Sequence, residues 1–220
     1  MKRVVIPELL DSDAGSPQEI EACLEDLQSF NRHCGGITTG VALLRRIAQK
    51  SGRSRLSVLD VAAASGDVPQ AARAQLTQQG VEVEFTLLDR SRRHLKNGSS
   101  AVVGDALQLP FTNNSYDVVS CGLFAHHLEP EQVVRFANEG LRVGRLALLI
   151  NDLVRHPLHF LLACAAVPLY RSRLTRHDAP ISIRRAYTPT EMMSMLRQTG
   201  ASQIEISRHF LFRMGVIAWK

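Results

Sequence analysis

LDVAAASGD, residues 59–67, is the stretch on which the reading of this chain turns. Aliphatic and β-branched residues run up to Asp60, small residues lead to Gly66, and a helix-like segment follows. A strand, a tight turn and a helix N-terminus in that order form the ligand-binding corner of an α/β domain. Glycines admitting a dinucleotide pyrophosphate would stand at 62, 64 and 67, where this chain has Ala62, Ala64 and Asp67. A carboxylate repels a diphosphate and the two β-carbons narrow its approach, so NAD and FAD are disfavoured. No GK[ST] follows, which excludes a P-loop. A ligand without phosphate but with a positive centre reverses the electrostatics, and S-adenosylmethionine, with its sulfonium and ammonium, is such a ligand. Its carboxylate can still meet backbone N–H groups.

Outward from the turn, apolar strands alternate with helical segments: LSVLDV, DVPQAARAQLTQQG, VEVEFTLLD, AVVGD, YDVVSCG, EQVVRFANEGL and RLALLIND. That rhythm implies a parallel sheet with helical crossovers. Pro69 falls in the first turn of its helix and Gly80 closes the same helix. Before the sheet, SPQE at 16–19 is a capping box that starts a helix running to about Phe30, and a second helix follows the Gly35–Gly36 break. After it, TPTEMMSMLRQTGA reads as a helix capped at Thr188 or Thr190. The last two strand-like runs are joined too closely for a crossover and should pair antiparallel.

The expected fold class is therefore α/β, a Rossmann-like doubly wound sheet. The 220 residues suit one domain: N-terminal helices at 1–55, a cofactor-binding core at 56–152, a lid or substrate segment at 153–187, and a C-terminal helix and hairpin at 188–220. Within the lid, PLHFLLACAAVPLY is apolar almost all round, too short to span a bilayer and interrupted by Pro168. A buried helix, a lid over a pocket and a lipid-facing surface all fit it. Without a signal-like or membrane-spanning run, a soluble, cytoplasmic protein is expected. Cysteines 23, 34, 121 and 164 form no CxxC pair and no zinc spacing, so neither a disulfide framework nor a metal is indicated.

The formal charge is +5, and residues 141–185 hold eight arginines against Asp152 and Asp178. A solvated basic face, an acidic carrier protein and a membrane surface all suit that bias; nucleic acid is disfavoured, since no recognition motif accompanies the arginines. The lid helices could equally make a homodimer contact.

Three carboxylates end successive strands: Asp60, Asp89 in FTLLDRS and Asp105 in VVGDALQLPF. Acids on one edge of a parallel sheet converge on one crevice. With VLDVAAASGD, LLDRS, GDALQLPF, NNSYDVVSCGLFAHHL and RRAYTPTEMMSMLRQTGA, the chain resembles class I S-adenosylmethionine-dependent methyltransferases over about residues 56–220, particularly those acting on small molecules. The resemblance implies seven strands, the last antiparallel, and a small apolar acceptor of phenolic, quinone, isoprenoid or polyketide-like type. It also implies that Asp60 and the turn through Ala62, Ala64 and Gly66 hold the methionine end. Asp89 would hold the ribose, Asp105 with Ala106 the adenine, and Gly122 and Leu123 would line the cofactor. The chain departs from the family's usual DVGxGxG at both alanines. If either needs positive φ, the cost is about 1–2 kcal/mol; otherwise the turn relaxes outward.

Methyl transfer from a sulfonium requires alignment, exclusion of water and, for a hydroxyl acceptor, removal of a proton. Candidate bases are His126 and His127 past the fourth strand, with Asp152, His156 and His159 past the fifth. Adjacent helical residues point about 100° apart, so only one of His126 and His127 is expected to face the pocket. Cys121 reads as a buried strand residue. Asn31, Arg32 and His33, at the glycine break, are placed to close over the cofactor. O-methylation is slightly preferred to C-methylation, with a non-catalytic binding protein as the alternative.

Overall fold

The computed structural model describes residues 1–12, 14–92, 95 and 100–220. Its centre is the predicted corner: β1 (Arg55–Val61) runs into the turn, and α3 (Asp67–Gln78) leaves it. Around this unit stand β2 (Glu82–Asp89), β3 (Ala101–Val103), β4 (Tyr116–Gly122), α4 (Pro130–Val143) and β5 (Gly144–Leu153). The chain closes with α7 (Pro189–Leu196), β6 (Gln203–His209) and β7 (Arg213–Trp219), while α1 (Pro17–His33) and α2 (Gly36–Ser51) precede the sheet. The seven strands lie in the order β3-β2-β1-β4-β5-β7-β6. β1 to β5 pair in parallel where they neighbour one another, and β7 is antiparallel to both β5 and β6.

Alternation along the strands builds two cores. Leu59, Val61, Val119 and Leu148 face Phe136 of α4 and Met192 and Leu196 of α7. Val58, Val118, Leu149 and Ile217 face Leu44 and Ile47 of α2 and Leu76 of α3 on the other side. Each fully buried side chain of this size contributes roughly 1.5–3 kcal/mol, which fixes the strand register and hence where each strand-end residue sits. Helix starts follow sequence chemistry. Ser16 and Glu19 close a capping box on α1, Thr188 and Glu191 close another on α7, and both helices carry proline in the first turn.

Two segments depart from the sheet rhythm. α5 (Pro157–Ala166) and α6 (Arg173–Arg185) form the lid segment, α6 continuing through Pro180. The apolar run is not a buried helix. Only Ala163 of α5 is buried, while Leu158, Leu161 and Leu162 are exposed, as is Leu169 beyond its end. Residues 1–12 form an arm laid across the molecule. Val4 N–H donates to Arg184 O at 3.1 Å, and Leu9 and Leu10 N–H donate to the Asp178 carboxylate at 2.8 and 3.0 Å. Arg185 Nη1 reaches Ile6 O at 3.3 Å. No helix among the described residues is long and apolar enough to cross a membrane.

Candidate active site

The turn after β1 settles the question its alanines raise. Ala62 and Ala64 sit at φ 56° and 46°, and Gly66 at φ 73°. All three hold the left-handed conformation that glycine adopts freely, so the turn does not relax to negative φ. The strain of two alanines, about 1–2 kcal/mol each, therefore counts against folding. Gly66 cannot be replaced so cheaply: a β-carbon there would lie 2.5 Å from Leu87 Cδ1. Leu123, just past β4, is also left-handed at φ 53°, tied by its N–H to Asn151 O at 2.9 Å.

A cavity of about 940 Å³ opens at this edge of the sheet. Asp60, Ala62, Ala64, Asp89, Asp105, Ala106, Gly122 and Leu123 all line it, whereas Gly66 supports the turn from behind the wall. Asp60 accepts from Ser120 Oγ at 2.5 Å, and burial pushes its carboxyl up to about 7, with the serine hydrogen bond pulling the other way. Its partial exposure is to this cavity rather than to open solvent. The Asp89 carboxylate accepts the N–H groups of Ala64 at 3.1 Å and Ser91 at 2.9 Å. It braces the turn as well as facing the cavity. Asp105 Oδ1 accepts from Leu107 N–H at 2.8 Å.

On the same wall are two groups that sequence reading missed. Arg213 is 2% exposed, held by Asn31 Oδ1 at 3.0 Å and Cys34 O at 3.3 Å, and its Nη1 has no hydrogen-bond partner. Burial lowers its guanidinium to about 10, against the pull of Asp152. Asn151 donates to Gly36 O at 2.8 Å, leaving its Oδ1 unpartnered. A buried orphan donor and a buried orphan acceptor on one wall match the carboxylate and ammonium of an amino-acid tail. Of the predicted closing residues, Asn31 lines the cavity, whereas Arg32 and His33 do not; His33 Nδ1 instead contacts Ser29 O at 3.0 Å.

The candidate bases separate clearly. His126 and His127 both line the cavity, their rings 4.2 Å apart, which corrects the expectation that only one would face it. The short 3-10 turn Ala125–His127 and the arm opposite it bring both rings to the same end. His126 is 3% exposed, with Nδ1 2.7 Å from Asp152 Oδ1, and its own N–H donates to Asp152 Oδ2 at 3.0 Å. Burial would raise the Asp152 carboxyl, but His126 and backbone donors hold it below the ordinary carboxylate value. Asp152 does not line the cavity and acts through His126. His156 does not line it either: its Nδ1 caps α5 by accepting Leu158 N–H at 3.2 Å, and its ring stacks on Phe212. His159 does line the cavity, with Nδ1 bound to Val154 O at 3.1 Å. Cys121 is buried in β4.

Glu8, on the arm, faces the two histidines. It is 7% exposed, and burial lifts its carboxyl to about 7 while His127 and Arg185 pull it down. Asp11 lies beside it. Burial would raise the Asp11 carboxyl, but His127 and Arg185 hold it at about 2. Around this polar end the cavity is apolar, with Leu24, Leu27, Phe30, Phe124, Leu162, Ala166 and Ile183 on its walls. The basic bias of residues 141–185 is largely neutralised within the chain. Arg142, Arg145, Arg155, Arg171, Arg173 and Arg185 each pair with a carboxylate.

Strand-end acids and a left-handed turn line one cavity under a helical lid at the edge of the sheet. Residues 58–145 match a family model described as a methyltransferase domain, and the strand order agrees with a Rossmann-like methyltransferase fold. Among solved structures, the plantazolicin methyltransferase BpumL, in complex with a triazolic desmethylPZN analog and SAH, superposes with a TM-score of 0.71 at 13% identity, covering 97% of this chain and 95% of that one. The CMeT domain of the citrinin polyketide synthase gives 0.62 at 15% identity, covering 93% and 57%. A SAM-dependent methyltransferase from Aquifex aeolicus gives 0.53 at 14% identity, covering 79% and 88%. These likenesses establish the shared fold. A comparison with curated proteins finds no match.

Proposed function

We propose that this protein methylates a small, largely apolar acceptor of phenolic, quinone, isoprenoid or polyketide-like type, at oxygen in preference to carbon. The observation that carries this reading is the His126–Asp152 pair, 2.7 Å apart, with the His126 ring beside the apolar walls of Leu24, Leu27, Phe124 and Ile183 in the cavity. Asp152, held ionised, fixes the His126 Nδ1 proton and leaves the Nε2 lone pair as the proton acceptor on the cavity side. An apolar enclosure excludes water, so a hydroxyl held there gives its proton to the imidazole rather than to solvent.

S-adenosylmethionine, when bound, supplies a methyl group already activated on a sulfonium. This chain's residues would hold it by chemistry visible at the wall: Asp60 and the left-handed turn at the methionine end, with Arg213 Nη1 for the carboxylate and Asn151 Oδ1 for the ammonium. Asp89 is placed for the ribose, Asp105 and Ala106 for the adenine, and Gly122 and Leu123 for the path to the acceptor. Two fold neighbours are a plantazolicin methyltransferase and a polyketide synthase domain, which suits this choice of acceptor.

The test is incubation of the purified protein with S-adenosylmethionine and a panel of alkylphenols, enols and quinols, reading S-adenosylhomocysteine release and the mass of the acceptor. A methylated product whose formation falls about a hundredfold or more in His126→Ala is expected. Tight cofactor binding with no transfer to any panel member would favour a non-catalytic binding protein.

A further inference from the structure

Glu8 lies outside every motif that the fold and its comparisons account for. It is carried by the N-terminal arm, which side chains from α6 pin across the cavity. Glu8 Oε1 lies 3.6 Å from His126 Nε2 and 3.6 Å from Arg185 Nη1, and has no hydrogen-bond partner. Glu8 Oε2 lies 3.8 Å from His127 Nε2, and the ligand atoms of the three residues fall within 4.8 Å of one another. Both histidines are oriented from behind by carboxylates: His126 Nδ1 by Asp152 at 2.7 Å, and His127 Nδ1 by Asp11 at 3.0 Å. Both Nε2 atoms are thereby turned toward Glu8, around an orphan oxygen that is 93% withdrawn from solvent by its 7% exposure.

Such a trio suggests a metal ion or an oxygen atom, and the charge beside it separates them. Ligands at about 2.0–2.1 Å around a tetrahedral zinc stand roughly 3.4 Å apart. Groups at about 2.8 Å around a hydrogen-bonded oxygen stand roughly 4.6 Å apart. The measured separations of 3.6 and 3.8 Å lie between the two values, so the neighbouring charge decides. The Arg185 guanidinium beside Glu8 opposes a cation and suits an oxygen that carries negative charge.

We propose that Glu8, His126 and His127 form a cradle for one oxygen of the acceptor, a phenolic or enolic hydroxyl, with Glu8 as a further catalytic residue in contact with it. This rests on the methyl-transfer reading and narrows its acceptor to molecules with an ionisable hydroxyl at the end of an apolar body. The hydroxyl sits beside His126 Nε2 and Glu8 Oε1, gives its single proton to one of these two bases as the oxygen takes the methyl group, and its developing charge faces His127 and Arg185. The arm supplies the one acidic group of the cradle, so the site is incomplete without residues 1–12.

The experiment uses the full chain saturated with S-adenosylhomocysteine and calorimetric titration with three probes of one skeleton: para-octylphenol, para-octylanisole and octylbenzene. The wild-type protein should prefer the phenol to the anisole by about tenfold or more, the value of one hydrogen bond to a charged group. Glu8→Gln should reduce that preference to about threefold or less with S-adenosylhomocysteine affinity unchanged, and Glu8→Asp should restore part of it. No preference in the wild type, no binding of any probe, or an undiminished preference in Glu8→Gln would overturn the cradle. The wild-type comparison needs no variant, so a poorly folding Glu8→Gln leaves the decision intact. Failure of S-adenosylhomocysteine itself to bind would instead bring down the methyl-transfer reading.

Discussion

With the cofactor's cation beside Asp60, as proposed, cofactor affinity should depend on pH. The Asp60 carboxyl is pushed up to about 7 by burial, its polar neighbour is the Ser120 hydroxyl, and the Cys121 thiol lies within electrostatic reach. A cationic ligand beside it favours the ionised form, so binding at neutral pH releases a proton and affinity rises with pH through the free protein's value. If the complex holds only the carboxylate, apparent affinity is divided by 1 + 10^(pKa − pH), which is about 2 at pH 7 and about 33 at pH 5.5. Affinity for S-adenosylmethionine should therefore fall about 16-fold across that interval, about 1.7 kcal/mol. Water admitted to the cavity reduces the figure, so a fall of fivefold or more is the working expectation. Calorimetry in two buffers of different ionisation enthalpy at pH 7 should show release of about half a proton. In Asp60→Asn both effects should vanish, with affinity at pH 7 lower by about tenfold. A flat wild-type profile, or the same slope in Asp60→Asn, would refute the placement of the cation at this carboxylate.

Other expectations follow from the same geometry. Ala62→Gly and Ala64→Gly each relieve a left-handed alanine but add chain entropy, for a net gain of about 0.5–1 kcal/mol and a thermal midpoint higher by about 1–4 °C; a lower midpoint would mean that the methyl groups pack usefully. Asp152→Asn should lower kcat about a hundredfold while leaving the S-adenosylmethionine KM within about threefold, since Asp152 acts through His126 rather than on the cofactor; an equal loss in KM would count against that. Stability should rise on acidification from pH 8 to pH 5.5. Glu8 and Asp60, raised to about 7 in the fold, bind protons there that the unfolded chain does not, for up to about 2 kcal/mol each, whereas Asp11, at about 2, stays ionised throughout. Denaturant midpoints across that range, with Glu8→Gln and Asp60→Asn removing the rise, check the sign.

What was legible in the sequence is what short-range pattern encodes. Strand alternation, a capping box at Ser16, a helix cap at Thr188 or Thr190 and aspartates at strand ends foretold the sheet and the carboxylates lining its crevice, because register carries strand-end residues to one edge. The turn was legible only as two alternatives. Sequence gives alanine's preference for negative φ, but not the packing of Gly66 against Leu87 and the hydrogen bond from Ala64 to Asp89 that hold the left-handed form. His156 looked like a base because it follows β5, yet the chain spends it on capping α5.

Glu8, Asn151 and Arg213 were illegible for a different reason: each gains its meaning from partners far along the chain. Glu8 meets His126 across 118 positions, and only because Asp178 and Arg185 fasten the arm that carries it. Arg213 stands in an apolar strand, where its neighbours give no sign that Asn31 and Cys34 will receive it. Under the proposed function the legible acids serve the cofactor, and they come from the repeating strand-and-turn pattern. On the same reading Glu8 stands at the acceptor end, on an arm that the sheet does not need for its own packing, whereas Asn151 and Arg213 stand on β5 and β7 at the cofactor wall. On that reading most cofactor contacts come with the strand-and-turn pattern, while the acidic group of the acceptor site comes from long-range closure of the arm. Substitutions in the arm should accordingly alter acceptor choice while leaving cofactor affinity in place.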